Sequence, residues 1–372
     1  MALSAVSIEG YRSVRRLTLP LSGLSVFVGG NGVGKTNLYR ALGLLQAAAQ
    51  GGITRAIAQE GGVGSVLWAG PRSKGKPVRL ALRAHFDVFE YGIEIGLPGP
   101  SEAAFALEPR IKEERLVLRG GRRDVVMMER RNAAVTLRNA EGARETLTDA
   151  VLPSESALAA FRDAVRYPEL EIVRRELLDW RLYHDFRTDA DSPLRRPCHA
   201  ITTPTLSADG RDLAAVLATL FVIRGDTVDL RRAVDDAFPG ARLAASDHGT
   251  SCCDLGMEFA DMPRRTYRAR ELSDGTLKYL CLLGALMGYR LPGLIALNEP
   301  EASLHPALLG PLARLIAHAA ERTRVWIVTH SQGLADALEA EAGAKPRRVV
   351  KIDGATKIEG LKLSGEFADD EE

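Results

Sequence analysis

The sequence predicts an α/β fold that combines a β-rich N-terminal lobe with a parallel sheet in the C-terminal lobe. Three observations predict it. A glycine-rich loop follows an apolar strand at residues 24–28 and opens a helix. Residues 78–137 alternate apolar and polar side chains, with the period of half-buried strands. The last third alternates strands and helices, as parallel sheets with crossover helices do.

The remaining elements follow from the same patterns in chain order. Strands are predicted at 5–8, 17–19 and 24–28, a helix at 33–49, and a β-meander at 78–137. Helices are predicted at 154–167 and 212–238, and strands at 241–246 and 253–259. Helices at 274–289, 306–321 and 332–342 then alternate with strands at 293–297, 324–328 and 347–352.

Four segments are expected along the chain. An N-terminal lobe with the glycine-rich loop and the meander spans 1–150, and a mainly helical insertion spans 151–240. A C-terminal lobe spans 241–366, and an acidic tail spans 367–372, with its last four residues disordered.

Composition excludes several classes of function. Forty-nine basic and 48 acidic residues give a net charge of +1, so any contact with nucleic acid would need a local basic patch. Four cysteines without a CxxC spacing indicate a reducing compartment. No apolar run has the length of a membrane span, and the first 20 residues lack the apolar core of a signal peptide. We therefore expect a cytoplasmic protein without membrane contact.

Residues 29–36 match the phosphate-binding pattern GxxxxGK[ST], in the strand–loop–helix context that the pattern requires. Glycines let backbone N–H groups approach a phosphate, and the helix N-terminus favours an anion. Lys35 would neutralise the β- and γ-phosphates of ATP, and Thr36 would ligate Mg²⁺. The residues predicted to hold the nucleotide are Gly29, Gly30, Asn31, Gly32, Val33, Gly34, Lys35, Thr36 and Asn37.

A second motif ends the predicted strand at 293–297 with Asn298, Glu299 and Pro300, as in a Walker B segment. Glu299 would orient and deprotonate the attacking water. Asn298 stands where the usual aspartate holds Mg²⁺ through water. Its amide oxygen can accept a hydrogen bond without supplying charge, so we expect weaker metal binding and slower turnover.

Two further motifs carry Ser273, Gly275 and His330. Ser273 and Gly275 begin a predicted helix, where they serve either as a simple helix cap or as an anion site that closes on a γ-phosphate held by a second subunit. His330 follows an apolar strand, where ligands bind in open α/β sheets, and would sense the γ-phosphate. Lys35, Glu299 and His330 are the predicted catalytic residues.

These motifs together resemble the RecF/SMC/Rad50-like branch of ABC-type ATPases, in particular the stand-alone AAA-type ATPases related to the OLD family. Residues 10–13, 26–29 and 298–306 carry the resemblance. It implies an ABC-type ATPase head and an ATP-dependent homodimer, in which Lys35 and Thr36 of one subunit face Ser273 and Gly275 of the other. It also implies that Arg12 lies near the nucleotide, and Gln59 is the only candidate for a Q-loop glutamine.

Two classes of function follow from this resemblance. The first is an ATPase that acts on DNA in repair or phage defence. The second is a slow nucleotide-gated switch that controls a separate nuclease or other effector protein. A transporter subunit ranks third, because no clear Q-loop is present.

Weaker signals leave alternatives open. Basic residues at 110–123 and 264–270 either contact DNA phosphates or form a solvated face. Residues 184–191, and the pair Cys252 and Cys253 with His248, suggest a metal site only loosely, because their spacing is irregular.

Overall fold

A computed structural model describes residues 1–71, 78–97, 105, 107–121, 123–223, 227–247, 251–362 and 364–368. The strands in the described chain are β1 (Leu3–Tyr11), β2 (Val14–Pro20), β3 (Leu24–Val28), β4 (Arg79–Phe86), β5 (Phe89–Gly96), β6 (Arg110–Leu118), β7 (Val125–Arg131), β8 (Ala134–Arg138), β9 (Arg144–Thr148), β10 (Arg181–Tyr183), β11 (Cys198–His199), β12 (Arg242–Asp247), β13 (Cys252–Glu258), β14 (Tyr267–Arg268), β15 (Leu294–Asn298), β16 (Arg324–Thr329), β17 (Arg347–Ile352) and β18 (Ala355–Ile358).

The α-helices are α1 (Lys35–Gln50), α2 (Ile53–Gln59), α3 (Val63–Val66), α4 (Ala157–Ala160), α5 (Pro168–Asp179), α6 (Leu213–Ile223), α7 (Val228–Ala237), α8 (Asp274–Met287), α9 (Leu309–Ala320) and α10 (Gln332–Ala342). Short 3₁₀ turns lie at Pro193–Arg195, Ala269–Glu271 and Pro306–Leu308.

The chain divides into two compact units that gather segments from distant parts of the sequence. Unit 1 comprises Met1–Ser22, Gly29–Trp180 and Arg347–Glu372, and unit 2 comprises Gly23–Val28 and Arg181–Pro346. The predicted segments follow chain order instead. The units differ from the predicted segments because β3 joins a sheet built largely from the C-terminal third.

Unit 1 is built on an antiparallel sheet of eight strands, in the order β2-β1-β4-β5-β6-β7-β8-β9. The predicted β-meander is confirmed and continues through β9. Helix α1 packs on β1 and β4, and it ends at Gly51, whose φ of 82° provides the left-handed cap. The hairpin of β17 and β18 also belongs to this unit, with β18 in contact with β2.

Unit 2 contains the predicted parallel sheet, with the order β10-β15-β16-β3. Every residue of β15 and β3 is buried, as expected for strands covered on both faces. Helices α6, α8, α9 and α10 supply buried leucines to its hydrophobic core. A small antiparallel sheet has the order β11-β13-β12, with β14 on β13.

The helix predicted at 154–167 is wrong over most of its length. Only α4 forms there, and the longer helix α5 begins at Pro168. Asp163 accepts hydrogen bonds from the backbone N–H groups of Val165 and Arg166, which makes a turn instead of a helix. Pro168 then suits the first position of a helix, where no N–H is needed.

Three other differences are smaller. The predicted helix at 212–238 is occupied by two helices, α6 and α7, and the helices α2 and α3 were not predicted. Phe367, placed in the acidic tail by sequence, is buried and forms a bridge with Leu361, since an aromatic side chain gains from burial. Residues 369–372 lie outside the described residues. None of the helices in the described chain combines the length and apolarity that spanning a membrane requires.

Candidate nucleotide site

The glycine-rich loop connects β3 to α1. Gly34 caps this helix with a φ of 101°, and a Cβ there would lie 2.0 Å from Thr356 Oγ1 and 2.6 Å from Ser13 Oγ. A Cβ on Gly29 would lie 2.5 Å from the carbonyl oxygen of Val349. The sequence explained these glycines by the approach of a phosphate, and the structure adds a second reason, since protein atoms crowd both positions.

A chain of hydrogen bonds braces the loop from β18. Asn37 Nδ2 donates to Ser13 Oγ at 2.8 Å, and Thr356 Oγ1 donates to the carbonyl of Val33 at 2.8 Å. Ser13 Oγ and Thr356 Oγ1 are 2.7 Å apart, so the Ser13 hydroxyl donates between them. Sequence reasoning missed Thr356, because no local pattern connects residue 356 to residue 33.

The loop has the features of an anion site. Lys35 is buried, and its Nζ donates to the carbonyls of Gly29 and Gly30, each at 2.7 Å. Among the described residues, apart from the chain neighbours, no atom lies within 4 Å of a Cβ built on Gly30 or Gly32, and no side chain caps α1. An uncapped helix N-terminus, an adjacent ammonium and open glycines fit a triphosphate.

Arg12 faces a carboxylate within unit 1. Its Nη2 and Nε donate to Glu60 Oε2 at 2.7 Å and 3.0 Å, and Tyr11 donates to the same oxygen at 2.6 Å. Gln59 is exposed at the end of α2. Their predicted roles near a nucleotide stay predictions.

The Walker B and histidine motifs lie at the carboxyl edge of the parallel sheet. Asn298 is paired with Val328, and Thr329 is paired with Val28, so β15, β16 and β3 end level with one another. Glu299 and His330 are the next residues after β15 and β16. The glycine-rich loop is the next segment after β3.

Glu299 and His330 come together at this edge, with 3.5 Å between Glu299 Oε1 and His330 Nδ1. Glu299 adopts a left-handed φ of 50°, and its N–H donates to the carbonyl of Val328 at 2.7 Å. A non-glycine residue in this conformation is strained, and such residues concentrate at functional sites.

A second carboxylate, Glu301, supports the same edge. It is 7% exposed and accepts from Thr329 Oγ1 at 2.5 Å and from the His330 N–H at 3.3 Å. Its Oε1 lies 3.4 Å from His330 Nδ1, so one carboxylate positions both the backbone and the ring of the histidine.

Two buried oxygens at this edge have no hydrogen-bond partner among the described residues, Asn298 Oδ1 and Glu301 Oε2. Buried polar atoms are normally satisfied, so unpaired acceptors indicate a missing donor or ion. Amide and carboxylate oxygens suit Mg²⁺ and its bound waters. The chemistry of these two unit 2 acceptors therefore fits Mg²⁺ with its bound waters, and the metal-side roles of Thr36 and Asn298 stay predictions.

Ser273 and Gly275 stand at the start of α8, and the segment 271–276 resembles the signature motif of ABC-type ATPases, so we call it the signature. Ser273 Oγ caps the helix by accepting from the Thr276 N–H at 3.2 Å. A Cβ on Gly275 would lie 3.2 Å from the carbonyl of Ser303, so little room is left for a side chain. The N-cap geometry is the one that the sequence predicted.

Arg195 holds the segment that precedes this cap, and sequence reasoning missed it. The guanidinium donates to the carbonyls of Leu272 at 2.9 Å and Ala269 at 3.2 Å, and to Asp274 Oδ1 at 2.6 Å. Its side chain is 12% exposed, whereas that of Asp274 is 63% exposed, so the bonds to the two carbonyls are the better shielded ones. These bonds hold the backbone of residues 269–272, which leads into α8.

Comparison with known proteins identifies the family. The model of the family described as "AAA domain, putative AbiEii toxin, Type IV TA system" matches residues 24–336. The chain belongs to this AAA-domain family. No curated protein sequence matches the chain.

Two solved structures share the fold. The Smc head bound to the C-winged helix domain of ScpA is 15% identical, with 98% of this chain and 99% of that chain covered and a TM-score of 0.51. The Smc head with an extended coiled coil, bound to the C-terminal domain of ScpA from Pyrococcus furiosus, is 14% identical, with 98% and 97% covered and a TM-score of 0.50. The predicted SMC-like, ABC-type P-loop ATPase head is confirmed as the fold. The relation to the OLD family stays a prediction.

The structure adds little support for DNA contact by the basic residues or for a metal site in this AAA-family chain. Arg265 pairs with Glu271, and Arg268 Nη1 lies 3.5 Å from Asp254 Oδ2, as on a solvated face. Within the described residues, no group of three or more His, Cys, Asp or Glu could hold a metal ion. His248 lies outside the described residues.

Proposed function

We propose that this AAA-family chain binds Mg²⁺-ATP, dimerises head-to-tail around it and hydrolyses it. The supporting observation is the carboxyl edge of the parallel sheet. There Glu299 and His330 lie 3.5 Å apart after β15 and β16, and β3 leads directly into the P-loop. The P-loop, Glu299 and His330 therefore directly follow β3, β15 and β16. Phosphoryl transfer to water uses a phosphate-binding loop, a base and a polar group beside that base.

Each residue has one role in this scheme. Lys35 and the N-terminus of α1 bind the β- and γ-phosphates, and Thr36 holds the metal side of the nucleotide. Glu299 orients the attacking water and accepts its proton, while His330 contacts the γ-phosphate. When bound, Mg²⁺ supplies the positive charge that neutralises the developing negative charge on the phosphates.

The dimer is proposed from the signature. Ser273 is exposed at a preformed helix N-terminus that Arg195 holds in place. Such a terminus favours an anion, and the γ-phosphate held by Lys35 of a second subunit meets that requirement. Ser273 and Gly275 would therefore complete the partner's site.

For the biological role, action on DNA in repair or phage defence is the first candidate. A slow nucleotide-gated switch for a separate nuclease or other effector is the second. Asn298 favours the second, because a neutral amide holds Mg²⁺ less well than a carboxylate. The family description names a toxin of a toxin–antitoxin system, and the similar Smc heads bind ScpA. Four cysteines without a CxxC spacing favour a reducing, cytoplasmic location.

ATP binding is tested by calorimetry on Lys35→Ala, with the exposed Lys351→Ala as the matched control. We expect loss of ATP binding in the first variant and wild-type affinity in the second. Unchanged affinity in Lys35→Ala, with the fold retained, would remove the P-loop assignment.

Dimerisation is tested by light scattering on Glu299→Gln with and without ATP. We expect ATP to be retained and a dimer to accumulate, because closure precedes hydrolysis. If only monomer is seen at micromolar protein and saturating ATP, the proposed head-to-tail dimer is contradicted. Salt-dependent DNA binding of this trapped form would favour the DNA role, and its absence with very slow wild-type turnover would favour the switch.

A further inference from the structure

A buried lysine lies beside the unusual Walker B residue. Lys278 projects from α8, five residues after the signature cap Ser273, and its side chain is only 7% exposed. With Asn298 it lines a small crevice, whose other walls include Asp185 and Leu297. A buried ammonium is unfavourable unless nearby groups compensate its charge.

Acidic groups from two strand ends provide that compensation. Asp185 Oδ1 lies 3.9 Å from Lys278 Nζ, and Glu299 and Glu301 follow the neighbouring strand. Burial lowers the pKa of the Lys278 ammonium, whereas the charges of Asp185, Glu301 and Glu299 raise it. Of these three carboxylates, Asp185 is the one within 4 Å of the ammonium, and the two glutamates act on it from a greater distance.

The charge of the side chain at position 298 determines which carboxylate interacts with the Lys278 ammonium. An amide at 298 leaves Lys278 to the surrounding carboxylates. An aspartate would place a full negative charge in the same crevice, where opposite charges attract more strongly than they do in water. That carboxylate would pair with the Lys278 ammonium instead of accepting a hydrogen bond from a metal-bound water.

We propose that Asn298 and Lys278 are an electrostatically matched pair, in which the ammonium of Lys278 is the counter-charge of this edge and would capture any carboxylate placed at 298. Lys278 is thus a positioning residue for the metal side of the site, and it connects the signature helix to the Walker B strand. The effect that we expect on Mg²⁺ dependence rests on the proposed ATPase function, whereas the effect that we expect on folding stability does not.

The test is a double-mutant cycle of wild type, Asn298→Asp, Lys278→Met and the double variant. Methionine keeps the length and apolar stem of lysine without its charge. The first readout is the urea midpoint without nucleotide. We expect the Asn298→Asp variant to be at least as stable as wild type when Lys278 is present. In the Lys278→Met background, the same substitution should clearly lower the urea midpoint. Additive effects would overturn the pairing.

The second readout is the Mg²⁺ concentration for half-maximal ATP binding, measured by calorimetry. We expect Asn298→Asp alone to change it by less than about threefold, and the double variant to lower it about tenfold relative to Lys278→Met, in line with a charge-assisted contact. An equal drop in both backgrounds would overturn the proposal. If wild type binds no ATP, the proposed function fails, and the stability cycle still decides the pairing.

A third readout needs only Asn298→Asp and so survives a Lys278→Met variant that does not fold. Pairing predicts a depressed pKa for the carboxyl introduced at position 298, so its stabilisation is present above the unfolded value of about 3.9 and is lost as pH falls below it. An unpaired buried carboxyl predicts the reverse, with destabilisation at pH 7 that recovers in acid, and would overturn the proposal. The other charged or ionisable side chains near the crevice and the Lys278 ammonium are His184, Asp185, Cys281, Glu299 and Glu301.

Discussion

The P-loop and the Walker B edge are built in opposite ways. In the P-loop, Gly34 and Gly29 are crowded by protein atoms, and the hydroxyl of Thr356, which accepts from Ser13, donates to the Val33 carbonyl. At the Walker B edge, Asn298 keeps a buried acceptor without a partner among the described residues, and the backbone of the following glutamate is left-handed. Protein contacts fix the glycines of the first region, whereas the second region retains a buried acceptor without a partner among the described residues. On the proposed function, the loop that would bind phosphate is preformed, and the Walker B edge is where the rate of turnover would be set.

The largest effect is expected from Gly34→Ala. A Cβ there meets Thr356 Oγ1 at 2.0 Å in a left-handed conformation, so unfolding free energy should fall by about 2–5 kcal/mol, from overpacking and backbone strain together. ATP binding should be lost. Gly30→Ala is the matched control, since its Cβ is in open space and φ is not left-handed. Urea denaturation compares the two, and equal losses would show that the P-loop is not braced as described.

Ser273→Arg should retain ATP binding but lower hydrolysis on the order of 100-fold, the scale for removing a group that stabilises a developing anion. The reason is the proposed action of Ser273 on the partner's nucleotide. Mixing it with Lys35→Ala pairs one intact P-loop with one intact signature. Steady-state ATPase assays should show recovery on mixing. No recovery in proven mixed dimers would argue for sites within one chain.

Thr356→Val should lower stability by about 1–3 kcal/mol, because the Val33 carbonyl and the Ser13 hydroxyl lose a buried partner. ATP affinity should fall severalfold, since the loop is less firmly held. Thr136→Val is the control, because it removes an exposed hydroxyl pair with Thr146 on the outer strands. If both variants bind ATP like wild type, the brace does not serve the loop.

The smallest effect is expected from Arg195→Lys. A lysine keeps the charge but cannot span the carbonyls of Ala269 and Leu272 together with Asp274, so about 1 kcal/mol of stability should be lost. Hydrolysis should fall more than ATP binding does, because the signature loop is loosened and the P-loop is untouched. Equal losses in both would indicate a general effect on folding.

Elements with local signals could be predicted from the amino-acid order alone. The P-loop was readable because its glycines, lysine and threonine are consecutive and lie between an apolar strand and a helix. Three of the four strands of the parallel sheet, β3, β15 and β16, were predicted within one residue, since buried strands are continuous apolar runs. The fourth, β10, is only three residues long and was not predicted. Local reading failed at 154–167, where Asp163 and Pro168 shifted the helix by competing with its backbone hydrogen bonds.

The distant residues that support those motifs became visible only in the folded chain. Thr356 is 323 residues from Val33 along the chain, and Arg195 is 77 residues from Leu272. Hydrogen bonds at such separations leave no periodic trace, because the strand order that creates them depends on the packing of the whole unit. The burial of Lys278 beside Asn298 was hidden for the same reason. A charge on a helix reads as solvated until its neighbours are known, and here those neighbours come from two parallel strands.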